Sequence, residues 1–390
     1  MSENPKILPD SLRNKLSQRN QNKQFRHTKV ISFGDGTHSS SNENPLLDLC
    51  SNDYLGLASH PKLKERAIEY TELYGTGSAA SRLISGTKSY HEELESALAD
   101  FHESESALIF NSGFQANTSI IPALADKGDL ILADKKSHNS IIQGCLASRA
   151  DFIRFRHNDV DHLTDLLGKN VTKYRNILII TESVFSMDGD LAPLDEISIL
   201  AQEYHALLFV DEAHAVGILG SKGRGLSYGI SGIDIRLGTF GKSFGSFGAY
   251  VFCSKEMRDF LVNFAPGFIY STSLPPAVIG ASLAATELIP KMDNQRLYVQ
   301  KLSETFRVEL HKKGWDTCNS ASQIIPILTK TEEKALQLAD YLRNSGYYVL
   351  AIRPPTVPVN ASRLRITLRA ETPEHIPTSI IEKLDSWQNL

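Results

Sequence analysis

An aspartate, a histidine and a lysine on two successive segments form the strongest chemical pattern in this sequence. Asp211 and His214 end the apolar run LLFVDEAH, and Lys242 lies in the glycine-rich run TFGKSFGSFGA that follows it. If both segments end at the same edge of a sheet, the three side chains lie near one another. A carboxylate can keep a pyridine nitrogen protonated, and a lysine amine can bind an aldehyde and then act as acid and base. The pattern therefore predicts a site for pyridoxal 5′-phosphate, which carries both a pyridine nitrogen and an aldehyde.

Three other loops carry hydrogen-bond donors that suit a phosphate group. The run ALIF followed by NSGFQAN predicts a strand, a turn and a new helix, so the backbone N–H groups of Gly113 and Phe114 can face an anion. Ser186 in ESVFSMDGD and Thr239 in TFGKS add hydroxyl groups. His138 follows the apolar run LILAD, and from that position its imidazole can stack on a cofactor ring.

The C-terminal run ASRLRITLRA alternates between apolar and polar residues, as a strand does. Its leucines and isoleucine share one face, and Arg363, Arg365 and Arg369 share the other. We expect one arginine to point into a cleft between domains, because a guanidinium pairs well with a substrate carboxylate. We expect Arg363 and Arg369 to be solvated at the surface.

Two other motifs are incomplete. Lys242 and Ser243 copy the end of a P-loop, but that motif needs glycine where Arg236 stands. HEELE resembles a zinc-binding helix, but Glu95 occupies the place of the second histidine. The cysteines stand singly, which argues against a zinc site and against a disulfide framework. We therefore expect no metal. The four cysteines are Cys50, Cys145, Cys253 and Cys318.

Size and composition indicate an ordinary enzyme. The chain has 390 residues, of which 41% are hydrophobic and 22% charged, enough for more than one core. Its formal charge of −4 gives no general attraction to nucleic acid or to an anionic membrane. No apolar run reaches the roughly 20 residues that would cross a bilayer, and the N-terminus lacks a signal-peptide core. We expect a cytoplasmic protein without nucleic-acid or membrane partners.

The elements that must position these residues alternate between strand and helix. Apolar runs at 107–110, 130–134, 152–155, 176–183, 207–214 and 250–253 predict buried strands, and patterns such as YHEELESALADFH predict helices between them. This order predicts an α/β fold with a mainly parallel sheet, whose ligand site lies at the carboxyl ends of the strands. We expect an N-terminal segment at 1–50, a large cofactor-binding domain at 51–275 and a smaller α+β domain at 276–390. The double proline at 275 and 276 predicts the start of a long helix. Basic residues at 11–30 predict an exposed helix.

On these residues the sequence resembles the α-oxoamine synthases, a family of fold type I pyridoxal-phosphate enzymes. The likeness extends over about residues 48–368. Its motifs are SNDYLGL, GTGSAASRLISG, NSGFQAN, SHNS, ESVFSMDGD, VDEAHAVG, TFGKSFGSFGA, YSTSLPP, RPPTVP and RLRITL. RPPTVP and YSTSLPP favour a member that joins L-alanine to a pimeloyl thioester with loss of CO2. The alternatives are members that use glycine or serine, an inactive subunit of the same fold, and a fold type I aminotransferase or decarboxylase.

The resemblance also implies roles for individual residues. Lys242 would bind the cofactor aldehyde, Asp211 would face the ring nitrogen, His214 the phenolic oxygen, and His138 would stack on the ring. The positions that match other cofactor contacts are Gly113, Phe114, Ser186 and Thr239. Those that match substrate contacts are Asn52 and Arg365 for the amino-acid carboxylate, and Arg26 and Thr356 for other parts of the substrates. The family forms homodimers with the active site between subunits, so residues 271–273 are expected to reach the partner's cofactor phosphate. The acyl donor is a thioester of coenzyme A or of an acyl carrier protein.

Overall fold

A seven-stranded sheet forms the centre of the protein in a computed structural model that describes residues 8–22, 24–28, 32–33, 38–40 and 45–389. The strand order is β4-β10-β9-β8-β7-β5-β6. Six strands run in the same direction, and β10, between β9 and β4, is antiparallel to both. The prediction of a mainly parallel sheet is therefore confirmed. The strands are β4 (Ser106–Phe110), β5 (Leu130–Asp134), β6 (Asp151–Phe155), β7 (Ile177–Glu182), β8 (Leu207–Asp211), β9 (Ile235–Thr239) and β10 (Ala249–Cys253).

Helices cover both faces of this sheet because its strands are apolar on both sides. One buried cluster joins the sheet to α4, α5 and α8, and another joins it to α6 and α7. The helix α10 packs against α2 and α3, and it begins at Pro276 as the double proline predicts. The helices before the C-terminal part are α1 (Asp10–Gln21), α2 (Pro61–Tyr74), α3 (Ser89–His102), α4 (Gly113–Leu124), α5 (Asn139–Ala147), α6 (Val160–Asn170), α7 (Leu194–Glu203), α8 (Lys255–Phe264), α9 (Pro266–Ile269) and α10 (Pro276–Leu288).

The C-terminal part builds a second core on a three-stranded sheet of order β11-β14-β13. A separate four-stranded sheet of order β1-β2-β3-β12 connects the N-terminal part to this core. In it β3 pairs in parallel with β12, and Leu47 lies opposite Tyr347. The proposed division at residues 50 and 275 stays a prediction. The elements are β1 (Ser32–Phe33), β2 (His38–Ser40), β3 (Pro45–Asp48), α11 (Asp293–Lys312), β11 (Ile324–Lys330), α12 (Glu332–Asn344), β12 (Tyr347–Tyr348), β13 (Leu350–Ile352), β14 (Ser362–Thr367) and α13 (Ile376–Gln388).

The expectation that Arg363 and Arg369 are solvated is wrong. They are 5% and 3% exposed, and Arg365 is 7% exposed. The reason is that the loop of Ser186 and Asp188 lies against this face of β14, where Arg365 donates to the Ser186 oxygen. Arg363 forms an ion pair with Asp188. The whole arginine face therefore lies inside the protein.

The first half of the basic N-terminal segment forms the helix α1, which has no buried residue, whereas residues 24–28 form no helix. The prediction of an exposed helix is confirmed for this part, while Lys23 and Lys29 lie outside the described residues. None of the helices in the described part of the chain is both long enough and apolar enough to cross a membrane.

Candidate active site

The register of the parallel strands brings the predicted residues to one edge of the sheet. Glu182 ends β7 directly opposite Asp211, which ends β8, and Leu237 of β9 lies opposite Asp211 on its other side. The chain passes from β9 into the loop that carries Lys242. Lys242 is close enough to Asp211 and Glu182 for their charges to interact. The structure thus confirms that these segments end at the same edge.

A chain of hydrogen bonds links Asp211 to His138. The Asn117 amide nitrogen donates to Oδ2 of Asp211 and to Oγ of Ser140, both at 2.9 Å. Oγ of Ser140 lies 2.7 Å from Nδ1 of His138. Since Nδ1 also accepts the Ser140 backbone N–H, the neutral imidazole of His138 carries its hydrogen on Nε2. Asp211 and His138 are therefore held in fixed orientations by one amide and one hydroxyl.

The electrostatics of the site favour a reactive amine at Lys242. Burial lowers the pKa of Lys242 to about 8, although Asp211 and Glu182 act in the opposite direction. Burial also raises the pKa of Glu182 well above its usual range, and the nearby Asp211 adds to this effect. An amine with a pKa near neutrality can attack an aldehyde and can accept and return a proton.

His214 is part of a second network that reaches the C-terminal part. Nδ1 of His214 lies 2.7 Å from the Tyr54 hydroxyl, which donates to Oδ1 of Asn52 at 3.1 Å. Oδ1 of Asn52 also accepts a 3.1 Å hydrogen bond from Arg365. Burial lowers the pKa of His214 well below its usual range, and the positive charges of Lys242 and Arg365 contribute. His214 is therefore a neutral imidazole.

Arg365 is positioned to bind a carboxylate. Its Nε donates to the backbone oxygen of Ser186 at 2.6 Å, and a second nitrogen donates to Asn52. A guanidinium has five N–H donors, so further donors are free for a ligand. The structure thus places Asn52, Ser186 and Arg365 together.

The first turn of α4 offers backbone donors to an anion. Ser112 caps the helix by accepting the Gln115 backbone N–H at 3.1 Å. The N–H groups of Gly113 and Phe114 have no partner within the helix, because they belong to its first turn. There is also space in front of them, since a Cβ atom on Gly113 would meet nothing nearer than a Leu237 methyl group at 3.9 Å.

Residues 271–273 lie beside this helix end within the same chain. Gln115 donates to Oγ of Ser271, and Asn111 donates to the backbone oxygen of Thr272 at 2.8 Å. Thr239, at the end of β9, donates its hydroxyl hydrogen to the Gly248 oxygen at 2.8 Å and accepts the Gly241 N–H at 3.1 Å. Hydroxyl groups and helix N–H groups thus occupy neighbouring loops.

The loop that carries Ser186 is fixed by buried charges. His157 binds Asp134 at 2.8 Å and Asp190 at 2.6 Å. Although burial lowers the pKa of His157, its hydrogen bonds to Asp134 and Asp190 raise it to about 8. Asp188 pairs with Lys136 and with Arg363. His157, Asp188 and Asp190 come close enough to share a metal ion. However, Lys136, Arg363 and the His157 imidazolium already balance these carboxylates, so the group is an ion-pair network.

Arg26 and Thr356 meet although they lie at opposite ends of the sequence. A terminal nitrogen of Arg26 donates to Oγ1 of Thr356 at 3.0 Å, and both residues are exposed. Thr356 lies in the loop between β13 and β14, and β14 carries Arg365. The two predicted substrate contacts are therefore brought together.

The residues present fit pyridoxal phosphate. Lys242 offers an amine of lowered pKa, Asp211 a buried and oriented carboxylate, and α4 an open helix end with free N–H groups. Sequence reasoning missed three supporting residues, namely Tyr54, Asn117 and Glu182. Glu182 could have been found, because it ends an apolar run next to the one that ends in Asp211.

Comparisons with known proteins show the family of this chain. The family model described as aminotransferase class I and II matches residues 44–384. The chain is 45% identical over 365 residues to the 8-amino-7-oxononanoate synthase of Geobacter sulfurreducens, covering 92% of this chain and 93% of that protein. A serine palmitoyltransferase of S. paucimobilis, solved with bound PLP and myriocin, has a TM-score of 0.90 at 28% identity, covering 97% of this chain and 96% of that one. The 8-amino-7-oxononanoate synthase of Francisella tularensis has a TM-score of 0.77 at 29% identity, covering 88% of this chain and 98% of that one.

Proposed function

Because this chain belongs to the aminotransferase class I and II family and has 8-amino-7-oxononanoate synthases among its relatives, we propose that it catalyses the reaction of these synthases. The reaction is the decarboxylative condensation of L-alanine with a pimeloyl thioester in biotin biosynthesis. The observation that supports it best is that Lys242 lies close enough to both Asp211 and Arg365 for their charges to interact. Amine, carboxylate and guanidinium are the groups that a pyridoxal-phosphate enzyme acting on an amino acid requires.

We propose that the predicted site residues hold the cofactor together. Lys242 would bind its aldehyde, and Asp211, oriented by Asn117, would keep a proton on its ring nitrogen. His214 would face the phenolic oxygen, and His138 would cover the ring. The N–H groups of Gly113 and Phe114 would bind the phosphate, and Ser186 and Thr239 would make further contacts with the cofactor. When bound, pyridoxal phosphate supplies the electron-withdrawing ring that stabilises negative charge at the amino acid's α-carbon.

The chain's own side chains then orient the amino acid and move its protons. Arg365 and Asn52 bind the substrate carboxylate, which fixes the α-hydrogen relative to Lys242. Since the pKa of Lys242 is about 8, its amine can take the α-proton and later return one. His138 carries a hydrogen on Nε2 and is exposed, so it can donate to the thioester carbonyl oxygen as the new carbon–carbon bond forms and the thiol leaves. Arg26 and Thr356 contact the acyl substrate.

We also propose that the active enzyme is a homodimer with the active site at the interface. Large apolar side chains stand exposed beside the phosphate-binding loops, including Ile84 at 81% and Tyr270 at 83% exposed. The segment that carries Ile84 follows Ser81, which forms a bridge with Thr272. A patch of this kind on one chain is typical of a surface that another subunit covers. The residues of the patch are Leu83, Ile84, Phe114, Phe247 and Tyr270.

Product analysis tests the proposed reaction. The purified protein with pyridoxal phosphate is incubated with a pimeloyl thioester and with L-alanine, glycine or L-serine in separate reactions. We expect mass spectrometry to find the aminoketone with alanine and much less product with the other two. A product with glycine or serine alone would contradict the proposal.

We further propose a cytoplasmic location, since all four cysteines are free thiols.

A further inference from the structure

One face of α1 carries apolar residues that no part of the described chain covers. Leu12 and Leu16 are 44% and 47% exposed, and Leu8, just before the helix, is 43% exposed. Their spacing of four residues places them in one stripe along the helix. Leaving such a stripe in water is unfavourable, which points to a partner in the functional complex.

Basic side chains border this stripe on both sides. Helical spacing places Lys15 and Arg19 along one side of the two helical leucines and Arg13 along the other. The acid of the helix, Asp10, lies on the far side from the leucines, 3.9 Å from Arg13. The stripe is therefore complementary to an acidic surface with apolar side chains at its centre.

The segment after α1 connects this face to the proposed acyl-substrate contacts. The N–H of Gln24 donates to the Arg19 oxygen at 2.8 Å, and Arg26 two residues later donates to Thr356. The loop of Thr356 leads into β14 and Arg365. A partner bound to α1 would therefore lie next to the residues proposed to contact the acyl group.

We propose that this face of α1 is the docking surface for an acidic acyl carrier protein that delivers the acyl thioester. The inference rests on the proposed function, which requires a thioester donor. Coenzyme A could pair with the basic side chains but has no helix to cover the leucines. A carrier protein could pair with the basic side chains and also cover the leucines. Contact between two copies of α1 about a two-fold axis would bring Arg13, Lys15 and Arg19 near their own copies, which is repulsive.

A charge-reversal variant tests the docking surface. The variant combines Arg13→Glu, Lys15→Glu and Arg19→Glu, and the matched control combines Lys64→Glu, Lys301→Glu and Lys334→Glu, three exposed lysines on α2, α11 and α12. Each protein is assayed with pimeloyl carrier protein and with pimeloyl-CoA. We expect kcat/KM for the carrier-protein donor to fall about tenfold or more in the α1 variant only, while kcat/KM for pimeloyl-CoA stays within about twofold.

Binding is measured separately by titrating each protein with the carrier protein that bears no acyl group. The α1 variant should bind it more weakly than the wild type and the control do. Equal losses with both donors, no loss with either, or dissociation of the α1 variant in sedimentation velocity would overturn the proposal. If the wild type made no product from either donor, the proposed function would fail, and the titration would still decide whether α1 binds the carrier.

Discussion

The hydroxyl of Tyr54 lies 2.7 Å from Nδ1 of His214. Burial raises the pKa of Tyr54, so the phenol keeps its hydrogen, and burial lowers the pKa of His214, so the imidazole is neutral. Tyr54 donates its one hydrogen to Oδ1 of Asn52, so its oxygen accepts the hydrogen on Nδ1 of His214, and Nε2 of His214 carries none. One buried hydroxyl thus determines which nitrogen of His214 carries the hydrogen.

Tyr54→Phe should reduce turnover without unfolding the protein. Losing a hydrogen bond of about 1 to 1.5 kcal/mol should lower kcat roughly tenfold. The absorption spectrum of the bound cofactor and the pH profile of kcat should also change, because His214 can then adopt the other tautomer. Tyr250→Phe is the matched control, since the Tyr250 hydroxyl is buried without a hydrogen-bond partner in the described structure. Identical spectra and pH profiles in Tyr54→Phe and wild type would contradict this role.

The rate at which the apoprotein takes up pyridoxal phosphate should depend on the protonation of Lys242. Since burial lowers the pKa of Lys242 to about 8, the rate should rise with pH to a midpoint near that value. Asp211 favours the charged amine, so Asp211→Asn should move the midpoint to lower pH. Stopped-flow absorbance measures the rate of uptake between pH 6 and 10. This range extends about two pH units to either side of the expected midpoint. A wild-type midpoint near the ordinary lysine value would contradict the lowered pKa.

Arg365→Lys should weaken binding of the amino acid and leave binding of the acyl donor nearly unchanged. Lysine cannot reproduce the planar pair of N–H donors, so we expect a loss of about 1.5 to 3 kcal/mol, which is roughly a 10- to 100-fold rise in KM for alanine. Steady-state kinetics with each substrate varied in turn gives KM for alanine and KM for the acyl donor separately. Arg154→Lys, at an exposed position on β6, is the control. A rise in KM for the thioester alone would assign Arg365 to the other substrate.

The ion-pair network around His157 should make stability fall as pH rises. The pKa of His157, about 8 in the folded protein, lies above the value of about 6.5 for a histidine in the unfolded chain. The imidazolium therefore contributes fully below about pH 6.5, and this stability is lost as pH rises through about 8. Urea unfolding of the apoprotein should show this loss, on the order of 2 kcal/mol between about pH 6.5 and pH 9.

In His157→Asn the loss of stability over this pH range should be smaller, because the titrating group is gone. His375→Asn, at an exposed position, should behave like the wild type. If wild type and His157→Asn lost stability equally over this range, the imidazolium would not be the cause.

Much of the fold followed from the sequence because apolar runs and strand ends obey local rules. The run LLFVDEAH predicted both the strand β8 and the position of Asp211 at its end. The burial of Arg363 and Arg369 could not be predicted in this way. Alternation along a strand separates its two faces but does not tell whether a distant segment, here the loop of Asp188, covers the polar one.

The hydrogen-bond network of the candidate site was also beyond sequence reasoning. The motif NSGFQAN includes Asn117, but only the packing of α4 against α5 brings its amide between Asp211 and Ser140. Likewise, Tyr54 follows Asn52 by two residues, yet its contact with His214 depends on how distant loops meet.

Borohydride reduction is the most direct test of the proposed chemistry. The purified protein is incubated with pyridoxal phosphate, its visible absorption is recorded, and it is then reduced, digested and analysed by mass spectrometry. We expect a phosphopyridoxyl group on Lys242 in the wild type and none at any position in Lys242→Ala. A colourless protein with no adduct, or an adduct on a different lysine, would contradict the assignment of this amine as the site of the chemistry.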